Sequence, residues 1–349
     1  MHISEVRTPA LVVELAALDH NIDTMAAARP GAALRPHVKA FKSTQLARHV
    51  RDRAGHRGFC CATLREMEGL VDAGLAEDLL LANETLDVAR LGDLVDRSPG
   101  RVTVAVDSLE TIDIAAQAGA EVLIDVDVGL PRCGCLPEHA GRLAEHAVAR
   151  GVEVRGVMGY EGHTVGDPSR DRRVAAVDAA MALLRQACDD VAAVVGDSEL
   201  LSSAGSTGTY DLHEWADEVQ AGSYLLMDTH YERLGLPFRP ALSVEVTVLS
   251  TSPSKGWGVV DAGLKAFGMD HGNPALPGYE VFFCSDEHTT FLAPAEADGG
   301  AAGTLPAIGD RLRMFSAHVD PTVAYHDRVH VVGDDGEVLD VWPVDLRGW

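Results

Sequence analysis

Residues 58–81 read GFCCATLREMEGLVDAGLAEDLLL, and this stretch contains one complete copy of the pattern that decides the fold. Short apolar runs that begin at Gly58 and Asp78 are typical of buried strands. The apolar residues between them share one face of a helix: Leu64, Met67, Leu70, Val71 and Leu75. The stretch therefore predicts a strand, a helix and a second strand, which is the unit from which parallel sheets are built.

The same alternation recurs over the first two thirds of the chain. Eight strands are predicted, with starts near Leu34, Gly58, Asp78, Val102, Val122, Glu153, Leu200 and Glu218. Segments with helical periodicity separate them, although the interval before the last strand is short for a helix. Eight strands that alternate with helices predict an α/β fold, a (βα)8 barrel of the TIM type that ends near residue 240.

The pattern changes after Pro240. Apolar and polar side chains then alternate, as in Leu242-Ser-Val-Glu-Val-Thr-Val248, and Arg311-Leu-Arg-Met314 repeats this rhythm. A period of two residues is typical of strands with one buried face. Residues 241–349 are therefore predicted to form a second, mainly antiparallel β domain without a helix-length segment. The glycine-rich residues 298–303 are predicted to form a flexible surface loop in it.

The composition excludes several classes of protein. Of the 349 residues, 29 are Lys or Arg and 53 are Asp or Glu, so the formal net charge is −24. The sequence lacks the clustered positive charge that nucleic acids and anionic membranes recruit. It also lacks a run of about 18 apolar residues that would predict a membrane span. With no secretory pattern at its start and too few cysteines for a disulfide scaffold, the protein is expected to be cytoplasmic.

Polar groups follow the predicted strands, at the ends where barrel enzymes place their active sites. Lys39 follows the first strand, after apolar residues that should point into the barrel. Because burial disfavours the charged form of a lysine, a neutral Lys39 amine could form a Schiff base with a carbonyl compound. An ordinary surface lysine is the plainer interpretation, and Lys42 is a second candidate that periodicity does not separate from the first.

Two glycine-containing segments follow the seventh and eighth strands. They are Gly205-Ser-Thr-Gly-Thr209 and Gly222-Ser223, and barrels frequently bind phosphate in these two loops. A lysine that forms an imine and a phosphate site are together what pyridoxal 5'-phosphate requires. Arg132 and Tyr160, after the fifth and sixth strands, could contact the ring of this cofactor or could be ordinary rim residues.

His318-Val-Asp320 in the β domain is a candidate metal site. On an extended segment, residues i and i+2 point the same way, so the two side chains could share one divalent ion. Two protein ligands leave positions for water or substrate, as in catalytic sites, although an isolated pattern of this kind often binds no metal. Cys133-Gly-Cys135 has no second pair at zinc-finger spacing, and we interpret both residues as structural thiols.

Together these motifs resemble the fold-type III pyridoxal phosphate enzymes related to alanine racemase, in the branch that holds D-threonine aldolase and metal-dependent D-serine dehydratase. The similarity runs over nearly the whole chain. It rests on motifs in the same order: Thr8-Pro-Ala-Leu-Val-Val13, Arg35-Pro-His-Val-Lys39, Asp127-Val-Gly129 with Arg132-Cys-Gly134, Tyr160-Glu-Gly-His163, Gly205-Ser-Thr-Gly-Thr-Tyr210, Gln220-Ala-Gly-Ser-Tyr224, Asp261-Ala-Gly-Leu-Lys265, His318-Val-Asp-Pro-Thr322 and Trp342-Pro-Val-Asp-Leu-Arg-Gly348.

The resemblance implies a role for each candidate residue. Lys39, rather than Lys42, binds the cofactor, and Arg132 and Tyr160 contact its ring. The implied phosphate residues are Gly205, Ser206, Thr207, Gly208, Thr209, Gly222, Ser223 and Tyr224. His318 and Asp320 match the family's metal pair, whose second member is commonly Cys in the dehydratases and Asp in the aldolases. An oxygen ligand favours Mn²⁺ or Mg²⁺ and also allows Zn²⁺.

The resemblance also bears on the domains and the assembly. It implies that a strand within residues 1–13 joins the β domain, so that the barrel comprises residues 14–240, and that the protein is a homodimer. Ala40-Phe41 is a departure, because relatives often carry Thr-His after the lysine.

The expected activity is a lyase reaction on a small D-3-hydroxy amino acid, specifically the retro-aldol cleavage to glycine and an aldehyde that D-threonine aldolase performs. The metal would lower the pKa of the substrate hydroxyl, and His163 could accept its proton. One alternative is a dehydratase that converts D-serine or D-threo-3-hydroxyaspartate to a 2-oxo acid and ammonia. An alternative of another class is a non-catalytic pyridoxal phosphate binding protein for cofactor homeostasis, a kind of protein that lacks the β domain.

Overall fold

A computed structural model describes residues 1–294 and 304–349, and the chain divides into two compact units. The predicted loop of residues 298–303 lies outside the described residues. Each unit is built from three chain segments: the barrel unit from Asp23–Lys39, Thr44–Gly222 and Leu346–Trp349, and the β-sheet unit from Met1–Ile22, Ala40–Ser43 and Ser223–Asp345.

Strands and helices are numbered along the chain. The described strands are β1 (Ala10–Glu14), β2 (Leu34–Pro36), β3 (Gly58–Cys61), β4 (Asp78–Leu81), β5 (Arg101–Val106), β6 (Glu121–Asp125), β7 (Val154–Gly159), β8 (Leu201–Ala204), β9 (Glu218–Ala221), β10 (Leu242–Ser252), β11 (Trp257–Val260), β12 (Glu280–Cys284), β13 (Thr289–Leu292), β14 (Arg311–Met314), β15 (Arg328–Val332) and β16 (Val338–Pro343). The described helices are α1 (Leu15–Ala28), α2 (Thr44–Ala54), α3 (Leu64–Asp72), α4 (Val88–Arg97), α5 (Leu109–Ala118), α6 (Ala140–Ala149), α7 (Arg170–Val195), α8 (Thr229–Glu232) and α9 (Val319–Tyr325). Among these helices, none combines the length and the apolar character of a membrane span.

The barrel unit contains one sheet of eight parallel strands. Their order is β2-β9-β8-β7-β6-β5-β4-β3, and a parallel bridge between His37 and Cys60 connects the two ends of the sheet. Helices α2 to α7 follow β2 to β7, whereas turns connect β8 to β9. The predicted (βα)8 barrel is confirmed, and each predicted strand start agrees with the observed one to within one residue.

Helix α3 shows how the local sequence sets these elements. The side chain of Thr63, the N-cap residue, accepts a hydrogen bond from the backbone N–H of Glu66 at 3.2 Å. A threonine in this position satisfies an N–H group that the helix itself leaves without a partner. Leu64, Met67 and Leu70 form the buried face of the helix. The helix therefore begins directly after its N-cap residue, Thr63, and it packs along the face that the periodicity predicts.

Charged side chains form a layer inside the barrel. Nε of Arg35 lies 2.7 Å from Oε1 of Glu218, and Asp78 accepts from Arg35 at 3.1 Å and from Arg155 at 2.8 Å. These residues lie on β2, β9, β4 and β7, which are not all neighbours, so the contacts cross the interior. Burial alone would raise the pKa of Asp78, but hydrogen bonds and positive charge from both arginines lower it to about 2.

An apolar layer lies next to the charged one. Alternate residues of a strand point to the same side, so Leu80 on β4 follows Asp78 towards the carboxyl end of the barrel. The buried members of this layer are Cys60, Leu80, Ala105, Leu123 and Met158. Their side chains exclude water below the rim on which the candidate site lies.

The β-sheet unit contains a mainly antiparallel sheet, as predicted. Its strand order is β12-β13-β11-β10-β1-β15-β16, and β14 also pairs with β10. β1 pairs in parallel with β15 and antiparallel with β10, so the N-terminal strand is central to this sheet. The remaining pairings among its described strands are antiparallel.

Two features of this unit differ from the sequence pattern. Ser243 and Glu245, on the polar face of β10, are buried, and the Glu245 carboxylate accepts a hydrogen bond from Nε of Arg313 at 2.6 Å. Helix α9 is absent from the predictions, because its seven residues are too few to show periodicity. Pro321 fits within it because a first helical turn needs no N–H from that residue.

We expect Arg35→Met to destabilise the barrel strongly, because it leaves the buried Glu218 without its cation. Breaking a buried ion pair from one side typically costs about 3 to 5 kcal/mol, and we expect the free energy of unfolding to fall by about 3 kcal/mol or more. Urea unfolding followed by circular dichroism measures it. The control is Arg53→Met, which removes an exposed pair with Asp23 and should cost about 1 kcal/mol or less. Equal losses in both variants would contradict the prediction.

Candidate active site

Lys39 lies at the carboxyl end of the first barrel strand. β2 ends at Pro36, and the short 3-10 helix Val38–Ala40 that follows carries the half-buried lysine. The backbone N–H of Lys39 faces Nδ1 of His37 at 3.5 Å. Lys42 belongs to the β-sheet unit and has a left-handed backbone conformation, with φ 44°. Of the two lysines, only Lys39 is part of the barrel unit.

Strand order brings Lys39 and the two loops predicted to bind phosphate to one part of the rim. β8 pairs with β9, and β9 pairs with β2. Residues 205–209 follow β8, Gly222 follows β9, and Lys39 lies just beyond β2. The carboxyl ends of adjacent parallel strands lie on the same edge of a sheet, so these groups share one sector of the barrel rim.

A buried carboxylate and a buried imidazole, neither assigned from the sequence, hold the loop of residues 205–209. Oε1 of Glu161 accepts from the Thr209 hydroxyl at 2.6 Å and from Nε2 of His213 at 2.8 Å, while Oε2 accepts from the Gly205 N–H at 3.3 Å. Glu161 is 0% exposed and His213 is 1% exposed. Burial alone would raise the pKa of Glu161, but the hydrogen bonds and the charge of His213 lower it. The carboxylate therefore stays ionised and fixes the loop.

The backbone of this loop requires glycine at its first position. Gly205 has φ +83°, and a Cβ atom there would lie 2.8 Å from Cδ2 of His213. Further along, the side chains of Ser206 and Thr207 are buried, and the hydroxyl of Ser206 accepts from the N–H of Gly208 at 3.2 Å. The loop thus offers hydroxyl groups in a site shielded from water.

The loops after β6 and β7 bring three more candidate residues together. The guanidinium carbon of Arg132 lies 5.4 Å from the centre of the Tyr160 ring, within cation–π range. His163 is exposed and packs over Gly129, where a Cβ atom would lie 2.9 Å from Cε1 of the imidazole. These two loops therefore form one surface on the barrel rim, next to the loop of residues 205–209 that follows β8.

The candidate residues after the eighth strand are divided between the two units. Gly222 ends a segment of the barrel unit, whereas Ser223 and Tyr224 begin a segment of the β-sheet unit. The hydroxyl of Ser223 donates to Oδ1 of Asp320 at 3.4 Å. Tyr224 is fully buried, its ring packs on Phe238 at 5.5 Å, and burial raises its pKa. Ser223 thus lies beside the candidate metal pair, and Tyr224 is a core residue.

His318 and Asp320 approach each other, but not on the extended segment that the sequence suggests. His318 is the N-cap residue of α9, and Asp320 lies in the first turn of this helix. Nε2 of His318 is 3.9 Å from Oδ1 of Asp320. Two atoms bound to one ion at about 2.1 Å lie roughly 3.0 to 3.5 Å apart, so a small side-chain rotation allows both to hold a divalent cation.

Further residues, missed by the sequence analysis, surround this pair. Oδ2 of Asp270 lies 2.7 Å from Nδ1 of His318, and the His271 ring stacks on the His318 ring at 4.0 Å. Asp228 accepts from the N–H of Val319 at 3.1 Å, and burial raises the pKa of this carboxyl to about 6. The two aspartates precede their partners by 48 and 91 residues, so no local spacing indicates either contact.

The cysteine pair lies in an acidic part of the barrel rim. Ligand atoms of Glu84, Asp107 and Cys133 lie within 4.8 Å of one another. A hydrogen bond with Glu84 and burial raise the pKa of Cys133 to about 11, and burial raises that of Cys135 to about 12. Cys135 is buried, as expected of a structural thiol, whereas Cys133 is exposed.

Family comparisons cover both parts of the chain. Residues 13–230 match the alanine racemase N-terminal domain, and residues 241–332 match the serine dehydratase domain. The chain belongs to the alanine-racemase-like, fold-type III pyridoxal phosphate family. Within it, the chain falls in the branch of D-threonine aldolase and metal-dependent D-serine dehydratase.

Individual relatives are similar over all or nearly all of their length. D-threonine aldolase from Arthrobacter sp. is 35% identical over 377 residues, which cover 99% of this chain and 94% of the relative. The crystal structure of D-threonine aldolase from Filomicrobium marinum has a TM-score of 0.89 at 32% identity and covers 99% of this chain and 97% of its own. D-threo-3-hydroxyaspartate dehydratase from Delftia sp. HT23 has a TM-score of 0.88 at 26% identity and covers 100% of both chains. Aldolases and a dehydratase are thus both among the relatives.

The barrel rim fits the family's cofactor in its chemistry. Lys39 supplies an amine, and the loop of residues 205–209 supplies the buried hydroxyls of Ser206 and Thr207. Arg132 and Tyr160 add a cation and a phenol on the neighbouring loops. An amine for an imine and neutral donors for a phosphate are what pyridoxal phosphate requires.

We expect Glu161→Gln to weaken the barrel in a pH-dependent way. Because folding lowers the pKa of this carboxyl, its stabilising effect is present above the ordinary value of 4.5 and is lost as the pH falls through the lowered value. The variant should lose about 2 kcal/mol of unfolding free energy at pH 7, since it removes hydrogen bonds to a charged group. Its difference from wild type should shrink as the pH falls below 4.5. Urea unfolding at several pH values tests this, with the exposed Glu138→Gln as the control; the same pH response in both would refute it.

Proposed function

We propose that this protein is a pyridoxal phosphate- and divalent-metal-dependent lyase that cleaves D-3-hydroxy amino acids to glycine and an aldehyde, as D-threonine aldolase does. The observation that carries the proposal is the approach of His318 and Asp320 to 3.9 Å, in a chain whose barrel rim also carries Lys39 and the loop of residues 205–209. The carboxylate in this pair favours the aldolase over the dehydratases, which commonly have a cysteine there.

Barrel residues are proposed to bind and orient the cofactor. Pyridoxal phosphate, when bound, supplies a sink for the electron pair that remains at Cα when the Cα–Cβ bond breaks. Lys39 attaches it to the protein, and residues 205–209 bind its phosphate, with Glu161 keeping that loop in place. Arg132 and Tyr160 orient its ring.

His318 and Asp320 are proposed to hold the metal. A divalent ion, when bound, acts as a Lewis acid that lowers the pKa of a coordinated hydroxyl. Two protein ligands leave coordination positions for the 3-hydroxyl of the substrate. The oxygen ligand from Asp320 favours Mn²⁺ or Mg²⁺, and the same pair also accepts Zn²⁺.

His163 is proposed to accept the proton from the 3-hydroxyl oxygen, directly or through water. Phe41, 1% exposed, stands where relatives often carry a histidine, so that position has no group that moves a proton. The exposed imidazole of His163 lies on the rim loop after β7 and is open to solvent. The proposal also retains the homodimer that the family implies and the cytoplasmic location expected from the sequence.

A second candidate function is a dehydratase. The full-length similarity to the Delftia enzyme favours it. In that reaction Lys39 would remove the α-proton, hydroxide would leave Cβ, and the products would be a 2-oxo acid and ammonia. D-serine and D-threo-3-hydroxyaspartate are the candidate substrates. A non-catalytic cofactor-binding protein is disfavoured, because residues 241–332 match a domain that the barrel-only proteins lack.

We expect the enzyme, supplied with pyridoxal phosphate and Mn²⁺, to convert D-threonine to equal amounts of glycine and acetaldehyde. Chromatography of the amino acids and a coupled aldehyde assay measure both products. L-threonine is the control and should stay unchanged. Formation of 2-oxobutyrate and ammonia instead, or of pyruvate from D-serine, would replace the aldolase with the dehydratase.

We expect Lys39→Ala to remove the visible absorption band of the imine and to lower kcat/KM by about 1,000-fold or more, since covalent attachment is lost. Lys42→Ala is the matched control, because it removes the other candidate lysine three positions away, and it should keep both the band and the activity. Absorption spectra of the purified variants decide between the two lysines. A band that survives in Lys39→Ala and disappears in Lys42→Ala would reverse the assignment.

A further inference from the structure

Hydrogen bonds join the backbone near Asp270 to the first turn of helix α9. Gly268 and His318 form an antiparallel bridge, and the N–H of Gly268 donates to the hydroxyl of Thr322 at 2.9 Å. The same hydroxyl donates to the carbonyl of His318 at 2.7 Å. A Cβ atom on Gly268 would lie only 2.1 Å from Cγ of Pro321, so the two segments are in close contact. Asp270 is therefore held beside His318 by main-chain packing.

The two nitrogens of the His318 ring face different carboxylates. Nδ1 lies 2.7 Å from Oδ2 of Asp270, and Nε2 lies 3.9 Å from Oδ1 of Asp320. An ionised carboxylate only accepts hydrogen bonds, so the Nδ1 atom in contact with Asp270 carries a hydrogen. In the neutral ring this leaves the lone pair on Nε2, the nitrogen that faces Asp320.

The neighbouring His271 does not share an ion with His318 in this arrangement. A metal ion lies in the plane of each imidazole that binds it. The two rings are stacked, with 4.0 Å between their centres and 9° between their planes. An ion about 2.1 Å from a nitrogen of one stacked ring, and in the plane of that ring, lies outside the plane of the other ring. His271 thus covers a face of His318 and leaves the edge at Nε2 to the metal.

We propose that Asp270 is a positioning residue of the metal centre: it accepts the Nδ1 hydrogen of His318 and thereby presents the Nε2 lone pair to an ion shared with Asp320. The inference rests on the proposed function, which supplies the metal. A carboxylate behind a metal-binding histidine fixes the tautomer and the orientation of the ring and raises its basicity. Without Asp270, Nδ1 loses its acceptor, and the hydrogen can move to the ligand atom.

Mn²⁺ binding to the pyridoxal phosphate-loaded enzyme tests the inference. We expect Asp270→Ala to weaken Mn²⁺ binding by about 10-fold to 100-fold, and Asp270→Asn, which keeps an acceptor oxygen, to weaken it less. Asp327→Asn is the matched control, because it removes one negative charge from an exposed aspartate of the same unit that pairs with Arg328. Its dissociation constant, measured like the others by calorimetry, should stay within about 2-fold of wild type.

The tautomer of His318 gives a readout that involves neither metal nor activity. In metal-free protein labelled with ¹⁵N-histidine, the ring of His318, assigned with His318→Ala, should carry its hydrogen on Nδ1. In Asp270→Ala the hydrogen should move at least partly to Nε2. A wild-type ring protonated only on Nε2 would overturn the inference.

Failure of the inference and failure of the proposed metal site give different results. If His318→Ala binds Mn²⁺ as tightly as wild type, the metal part of the proposed function is wrong and the inference falls with it. If His318→Ala loses the ion but Asp270→Ala matches the Asp327 control, only the inference is wrong. If Asp270→Ala alters the visible spectrum of bound Co²⁺ as strongly as His318→Ala does, Asp270 is a ligand itself and the positioning role is overturned.

Discussion

The guanidinium of Arg35, enclosed in the barrel, is the constraint on which the barrel unit depends. A buried cation must be neutralised, and its partners Glu218 and Asp78 lie on β9 and β4. A shift of β2 by one residue would turn Arg35 out of the interior and leave both carboxylates unpaired. The ion network therefore sets the register of the first strand, and this register in turn places Lys39, four residues later, at the rim.

Two pairs of a carboxylate and an imidazole position parts of the candidate site. Neither carboxylate is expected to contact the substrate. Glu161 and His213 stabilise a loop from inside the barrel unit, where both side chains are fully buried. Asp270 and His318 form the corresponding contact in the β-sheet unit, at a similar distance but with the carboxylate half exposed. Screening by water is weaker for the first pair, so its effect on stability should be larger, while the second acts mainly on the direction in which a ring points.

Repeated local patterns could be predicted from the sequence, and contacts between distant segments could not. Eight alternating units and a change of period after Pro240 indicate the barrel and the antiparallel sheet, because each signal lies within a few residues. The contact between Glu161 and His213 spans 52 residues, and only the fold brings these residues together. A signal for Glu161 was nevertheless present, since an acid two residues after a buried strand rarely lacks a partner. Helix α9 was missed because a capped turn of seven residues has no periodicity to detect.

The position of β1 affects how the chain folds during its synthesis. This apolar strand leaves the ribosome long before its parallel neighbour β15, and the hydrogen bond from His330 to Leu11 spans 319 residues. The eight barrel strands β2 to β9 are all synthesised before β10, and until β10 and β15 follow, β1 has neither edge paired. An apolar strand with open edges is prone to wrong pairing. Protection of residues 10–14 during translation is therefore a requirement that this topology imposes on the cell.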